Sequence, residues 1–592
     1  MSTGPAQRSM GLKAVFRRQR PLYALGAGLI AMQQVLLAMR DLLVKASADA
    51  LAGKDAPGAL SAARWMLLVV LGTALLRMLG RMSIFTAAQR AERELRAGVL
   101  ERLLGQGPGF FRAMPPGEVM SRATTDLSQV RAMLSLGVAN GYIALCGITS
   151  ALLVMLHVSW RLTLAAMVVV PGLTLARRLF SQHLYTNYRR VQAATGVLSG
   201  QAYRSLSGVR LIRAFGLEES ETERFAAASR AQVEALSRSA RVRAAMVPVL
   251  GTIASGAVLG VFGYGGHLVM AGALSWGDFA AFWVALLRLV GPLMGLGLMA
   301  SMVQRGRAGY QRLRSILDAS PEMSSGPRPP LPEVRGELEV RDLWFSHGDQ
   351  PVLKGVSLRV PAGGSLAILG RTGSGKSTLA LLLARLGNTP PGTVFLDGVD
   401  VCELPLEQVR RSVAHAPQEA FLFSTTVERN VAYALDEPAS PGARAAVLEA
   451  LERAQVLTDV RALPEGLETR VGERGAKLSG GQRQRVALAR ALVRLAPVWV
   501  LDDPLSAVDA RTESRILEGM GRWARGRTLL LVTHRTVAAR RCDAIVVLEQ
   551  GRIIEQGSHE VLMAAGGVYA ALVREQSLEA EAEAPAMMGR LG

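Results

Sequence analysis

Cysteine is nearly absent from these 592 residues: Cys146, Cys402 and Cys542 lie far apart, with no CxxC pair and no histidine cluster. This argues against both a disulfide framework and a cysteine zinc site. Lysine is scarce too, with six in the chain, and aromatic residues make up only 5%. Only 20% of residues are charged while 50% are hydrophobic, which excludes a disordered or fibrous protein. The length is enough for about four domains. The mean hydropathy of +0.24 is high for a soluble enzyme and places part of the chain in a membrane.

What is abundant is arginine, and the net charge is +20. By itself that charge would suggest nucleic acid, but membrane proteins also gather Arg and Lys on cytoplasmic loops. Six apolar stretches precede residue 305, at 21–44, 63–85, 135–158, 162–180, 244–270 and 277–303. Each is close to the roughly 20 residues that span a bilayer, and most are rich in Gly and Ala, as helix contacts in lipid tend to be. Short connections alternate with two long ones, 86–134 and 181–243, which are helical in pattern. Arg90, Arg93, Arg96, Arg102, Arg112 and Arg122 lie in the first, and Arg189, Arg190, Arg204, Arg210, Arg213 and Arg224 in the second. Together with Arg17, Arg18 and Arg20 they put the long loops and both termini on the cytoplasmic side. Much of the basic excess is therefore topological, and no nucleic-acid partner is expected. The first apolar run has full spanning length and no small-residue cleavage site after it, so it is not read as a cleavable signal peptide.

The proline-rich stretch 321–332 reads as a linker. Beyond residue 337 short β-like runs alternate with helices, at 338–340, 357–360, 365–369, 498–501, 529–532 and 544–548. That alternation predicts an α/β domain with a largely parallel sheet. Gly370-Arg371-Thr372-Gly373-Ser374-Gly375-Lys376-Ser377-Thr378 lies between a strand and an apolar helix, the context a P-loop requires. Its glycines let successive N–H groups converge on phosphate oxygens at a helix N-terminus. Lys376 should reach the β- and γ-phosphates of ATP, and Ser377 should hold Mg2+. The strand 498–501 ends in Asp502, the Walker B layout that sets a carboxylate near the magnesium.

Between these motifs stands Leu478-Ser479-Gly480-Gly481-Gln482, and here the chain resembles the ATP-binding-cassette family, whose signature is LSGGQ. The resemblance covers nearly the whole chain. Asp397-Gly398 falls in the expected place. Gln418, in Ala416-Pro417-Gln418-Glu419, resembles the Q-loop residue that meets nucleotide and metal. Asp509 in Ser506-Ala507-Val508-Asp509 resembles the D-loop, and His534 the switch histidine. In the family Ser479, Gly480, Gly481 and Gln482 would complete the ATP site of the opposite subunit. Six spans followed by one cassette resemble an exporter half-transporter. The implied fold is a six-span α-helical transmembrane domain fused to an α/β P-loop nucleotide-binding domain. The divisions expected are 1–320 for the membrane domain, 321–334 for the linker, 335–575 for the nucleotide-binding domain and 576–592 for a flexible tail. Residues 110–118 with 121–126, and 206–215, resemble the two coupling regions.

Two positions depart from the family. Asp503 stands where active sites carry glutamate, the carboxylate that orients water and accepts its proton. Aspartate is one methylene short, and a misplacement of about 1 Å can cost on the order of 10²-fold. The expectation is thus a heterodimer in which this chain supplies a slow site and an intact signature. Secondly, His347 stands where exporters carry a tyrosine against the adenine, and it could stack there less well or be an ordinary loop residue. The resemblance implies export of a lipid, peptide or other small amphiphile from a bacterial inner membrane. A homodimeric lipid flippase or multidrug exporter, and an ATP-gated channel or regulatory subunit, are the alternatives. Coupled leader-peptide cleavage is not expected, since no cysteine-protease leader is read before the first span. Arg288 lies half-way along the sixth span with no carboxylate expected at its depth, since Asp41 and Asp278 both belong near the outer surface. With Arg77 and Arg81 it would form a cationic cavity wall for anionic or amphiphilic substrates; the alternative is a structural arginine bonded to backbone carbonyls or paired by the partner chain.

Overall fold

The computed structural model describes residues 11–588. The chain forms two compact units, one built from residues up to Leu100 with Met120–Asp318, the other from Glu101–Val119 with Ala319 onward.

The first unit is entirely helical. Among the described residues five helices are long and apolar enough to cross a membrane: Arg20–Ala52, Ala56–Leu104, Pro116–Val158, Glu218–Met270 and Trp276–Leu317. The fourth expected span is helical as Trp160–Met167 and Val169–Ser207, though several of its side chains, from residue 169 on, lie outside the described residues. Ser159 caps its start by accepting a hydrogen bond from the Leu162 N–H. The helices of 49 and 53 residues are about 75–80 Å long at 1.5 Å per residue, more than twice the hydrocarbon thickness. The long basic connections are therefore continuations of the spanning helices. Small residues let helices meet closely: a Cβ on Gly26 would lie 2.6 Å from Ile84 Cγ1. Outside the apolar region Arg312 grips the buried Asp126 through Nε and a second nitrogen, at 2.8 and 2.5 Å.

The first and sixth spanning helices are joined by a ladder of polar contacts. The Gly277 N–H donates to Asp49 at 2.8 Å, Lys45 pairs with Asp278 at 2.6 Å, and Arg288 pairs with Asp41 at 2.8 Å. Arg288 also donates to Ser150 Oγ at 2.8 Å, and Arg40 supports Asp41. This corrects the expected cationic wall at Arg288. The first helix runs to Ala52, so Asp41 lies about 17 Å from that end, and Arg288 lies about 18 Å from the start of the sixth helix at Trp276. Hydropathy had ended the first span at residue 44, which made Asp41 look superficial. The Arg288 side chain is 9% exposed and that of Asp41 is 0%. A carboxylate does stand at its depth. Arg77 and Arg81 are exposed on the second helix.

The second unit has two sheets. One is four-stranded and antiparallel, in the order β2 (Gln350–Val360), β1 (Leu338–His347), β4 (Val394–Leu396), β5 (Val399–Asp400). The other runs β10 (Arg552–Gly557), β9 (Ala544–Glu549), β3 (Ser365–Leu369), β8 (Thr528–Thr533), β7 (Val498–Asp502), β6 (Val413–Ala416). It is parallel from β9 to β6, with β10 antiparallel at one edge. Its central strands are buried along their length, so they read as continuous apolar runs rather than alternating ones.

The linker segment and the first residue of the expected tail both make hydrogen bonds to this unit. Residues 321–334 run along this unit: the Gly326 N–H donates to Leu404, the Arg328 N–H to Glu403, and Leu331 exchanges two hydrogen bonds with Gln408. At the other end a helix occupies Val568–Met588, and Gln576 within it is bonded to the strand end that carries His534. Polar and charged composition concealed both attachments, because hydrogen bonds made by single side chains leave no periodic trace.

Candidate functional site

The parallel sheet brings distant residues together at one edge. β3, β8 and β7 are neighbours in register, with Leu369 opposite Thr533 and Asp502 opposite Val532. Their carboxyl ends carry Gly370, His534 and Asp503 in turn, and the crevice beyond such strand ends is where open α/β sheets bind ligands. β6 lies beside β7 and delivers Gln418 two residues past its end. The resulting cleft is lined by Thr372, Gly373, Gly375, Lys376, Ser377, Thr378, Gln418, Asp502, Asp503 and His534.

The loop owes its shape to Gly375, which precedes the helix Lys376–Leu383 with φ +103°. A Cβ there would stand 2.9 Å from Leu353, so backbone rather than side chain faces the cleft. Lys376 Nζ donates to the carbonyls of Gly370 at 2.7 Å and Arg371 at 2.8 Å and to Ser374 Oγ at 3.3 Å. Gly370, Arg371 and Ser374 thus hold the lysine, while the remaining loop residues face the cleft. Burial holds the Lys376 ammonium below its ordinary value, against the pull of Asp503 and Asp502.

Burial pushes the Asp502 carboxyl up, with Ser377 bonding opposing the shift. Its Oδ1 is buried with no hydrogen-bond partner among the described residues. A lone buried carboxylate oxygen beside a serine hydroxyl fits a hard divalent cation. Asp503 has a left-handed backbone, φ 44°, a region that aspartate tolerates better than most residues. Its Oδ2 lies 3.1 Å from His534 Nδ1. That contact raises the His534 imidazole above its ordinary value, against partial burial. The pairing is therefore fully present below about pH 6.5 and fades as pH rises through the higher folded value. Titration of His534 by NMR should show a pKa above the ordinary histidine value, and Asp503→Asn should lower it. An unchanged titration in Asp503→Asn would remove the pairing.

The signature is built as a helix start. Ser479 caps Gly480–Leu492 by accepting from the Gln482 N–H, and the Gln482 side chain accepts from the Ser479 N–H. A Cβ on Gly481 would lie 2.8 Å from the Ala507 carbonyl, so this glycine permits close packing on the loop 506–509. Asp509 caps the next helix, Ala510–Trp523, by accepting from Thr512. Among the described residues none of Ser479–Gln482 lines the cleft that holds Lys376.

His347 lies beside the P-loop. It lines a neighbouring hollow with Phe345, Thr378 and Arg112 rather than the phosphate cleft. Its Nδ1 is 2.8 Å from an Arg112 nitrogen and its Nε2 is 3.5 Å from Thr378 Oγ1. Arg112 belongs to the short helix Pro108–Ala113 of the first expected coupling region, whose Gly109 N–H donates to Glu322 at 3.1 Å.

Several supporting residues escaped sequence reasoning. Gln484 is buried and donates to the Asp503 carbonyl at 2.9 Å and to Ser506 Oγ at 2.8 Å, and it accepts from the Ala507 N–H at 2.7 Å. It locks the signature helix to the segment after Walker B. Glu513 pairs with Arg535, next to His534. A glutamine two residues past the signature carries no pattern of its own, so only the fold could reveal it.

Comparison with known proteins agrees with this geometry. Residues 24–293 match the ABC transporter transmembrane region and residues 353–506 the ABC transporter domain. The multidrug resistance-like ATP-binding protein MdlA of Escherichia coli strain K12 is 35% identical over 87% of this chain and 87% of that protein. The chain belongs to the ABC transporter family. An ATP-dependent lipid A-core flippase of Aromatoleum aromaticum is 36% identical over 83% of this chain and 81% of its own length. One from Syntrophus aciditrophicus is 33% identical over 81% and 80%. The solved structure of a bacterial Atm1-family ABC exporter with ATP bound superposes with a TM-score of 0.77 at 29% identity, covering 95% of this chain and 99% of that one. The chain is a multi-pass membrane transporter of the ABC exporter fold that binds ATP and couples its hydrolysis to transport.

Proposed function

We propose that this ABC exporter chain is one half of a heterodimer in a bacterial inner membrane, with its termini and nucleotide-binding domain cytoplasmic. It moves a hydrophobic or amphiphilic substrate, a lipid, peptide or drug-like molecule, out of the cytoplasm or inner leaflet. The substrate class follows the names of the relatives, two lipid A-core flippases and a multidrug resistance-like protein. The membrane domain is residues 1–320 and the nucleotide-binding domain begins near 335. Arg77 remains the candidate cationic residue facing substrate, on a helix whose surface leaves it exposed.

The observation that carries the dimer is the separation of the two halves of the ATP machinery. The cleft holds the P-loop, Asp502, Asp503 and His534, whereas Ser479–Gln482 stand outside it. A second subunit's signature would close this cleft, and this chain's Ser479 and Gly480 would close the partner's. Ser377, Asp502 and Gln418 would hold Mg2+, which supplies charge neutralisation at the phosphates. Asp503 orients water less well than glutamate would and is already engaged by His534. This supports a slow site here and a competent one built on the partner.

The test is ATP turnover by the chain purified with its partner half-transporter. Changing the partner's Walker B glutamate to glutamine should abolish turnover, whereas Asp503→Asn should change it less than about tenfold, since the competent site does not use this carboxylate. Robust hydrolysis by this chain alone, lost in Asp503→Asn, would establish the homodimeric flippase or exporter instead.

A further inference from the structure

The segment that carries His534 is poorly able to hold itself. It follows the last residue of β8, Thr533, and enters a helix of only four residues, Thr536–Ala539. A single turn gains too little from its own hydrogen bonds to fix a side chain. Ala538 and Ala539 pack it into the core, and three polar attachments from outside orient it. Asp503 meets the imidazole, Glu513 pairs with Arg535, and Gln576 spans the backbone on both sides of Arg535.

The Gln576 contact is the most specific of the three. Its Oε1 accepts from the Thr536 N–H at 2.8 Å and from Thr536 Oγ1 at 2.8 Å, while its Nε2 donates to the His534 carbonyl at 2.7 Å. Donor and acceptor are matched to a carbonyl and an N–H that point the same way, so a flipped amide would lose both partners. Gln576 comes from Val568–Met588, a helix anchored independently. There Tyr569 is fully buried, the N–H groups of Val568 and Tyr569 donate to Glu555, and the Tyr569 hydroxyl lies 2.7 Å from His559 Nδ1. The helix thus transmits a firm reference point from β10 and its neighbourhood to the switch segment.

We propose that Gln576 is a positioning residue for ATP hydrolysis: it sets the backbone of His534 and Thr536 so that the imidazole faces the γ-phosphate of bound ATP. This rests on the reading of His534 as the switch histidine. Gln576 touches neither nucleotide nor metal in this role. It acts through the histidine, so it should affect the chemical step and leave ground-state binding by the P-loop alone.

The test uses the full-length chain in lipid nanodiscs with ATP and Mg2+, following both turnover and amide hydrogen exchange. In the wild type ATP should protect residues 370–378 and 533–537. Gln576→Ala should keep the protection at 370–378, lose it at 533–537, and lower kcat about tenfold with KM unchanged, the scale of a sub-ångström misplacement. Gln576→Glu keeps the acceptor for Thr536 but sets a second acceptor against the His534 carbonyl, so it should be as defective. Where turnover of the chain is too slow to follow, the exchange pattern decides. Normal protection at 533–537 in both variants would overturn the proposal, and so would loss of protection at 370–378 as well, which would make the helix merely structural. His534→Ala is the separate control. If it leaves turnover and the response of 533–537 unchanged, the switch-histidine reading fails, whatever the Gln576 variants do.

Discussion

Asp41→Asn should destabilise the membrane domain by about 3–5 kcal/mol, because it strands Arg288 as an uncompensated charge in an apolar surround. Arg288 is held by Asp41 and Ser150, and neither side chain of the ion pair has more than 9% exposure. Water cannot replace the lost carboxylate at this depth, as it could for Arg314 and Asp318 on the exposed end of the same helix. The measurement is the temperature at which the detergent-solubilised chain loses its monodisperse peak. Asp41→Asn should lower it strongly, and Asp41→Asn combined with Arg288→Gln should recover most of the loss, since removing both charges removes the buried mismatch. A double variant as unstable as the single one would show that the two side chains are not a functional pair. The same reasoning applies to Arg288→Ala. Its first effect should be on assembly, with anionic and neutral substrates affected alike.

Lys376→Ala should weaken ATP binding by about 10- to 100-fold, the range expected for losing charge-assisted hydrogen bonds to phosphate of about 1.5–3 kcal/mol. The lysine is the cleft's concentrated positive charge toward the β- and γ-phosphates, and its ammonium already sits partly buried beneath the loop carbonyls. The three carbonyl and hydroxyl acceptors that hold it belong to Gly370, Arg371 and Ser374, so the loop loses a brace as well as a charge. Binding of a fluorescent ATP analogue to the full chain measures the effect directly. Affinity equal to the wild type would remove Lys376 from the phosphate site. His534→Ala should leave that affinity nearly unchanged, since the imidazole acts on the γ-phosphate as charge develops there.

The sequence alone determined the architecture because its decisive signals are local. Membrane spans follow from runs of apolar residues, and the P-loop, Walker B strand and LSGGQ each lie within fewer than ten consecutive residues. Their chemistry depends on backbone N–H groups at helix starts, which such short motifs encode completely. Hence Lys376, Ser377 and Asp502 could be named before any fold was known, with Asp503 and His534 added by the family resemblance, and the structure lines one cleft with all five. Tertiary structure decided whatever depends on partners distant in sequence. Asp41 and Arg288 are 247 positions apart, and only the antiparallel register of two helices, each longer than its apolar stretch, brings them to one depth. Gln484, Glu513 and Gln576 are single polar residues on helix surfaces, where composition suggests only contact with water. Each becomes a support of the catalytic edge because a parallel sheet aligns β3, β8 and β7, and because the helices packed on it present one side chain apiece to the strand ends. His347 shows the same limit: its neighbour Arg112, from a helix 235 residues earlier, was not legible. Hydrogen bonds and ion pairs act over about 3 Å of space without regard to separation along the chain, so only the folded backbone could select them.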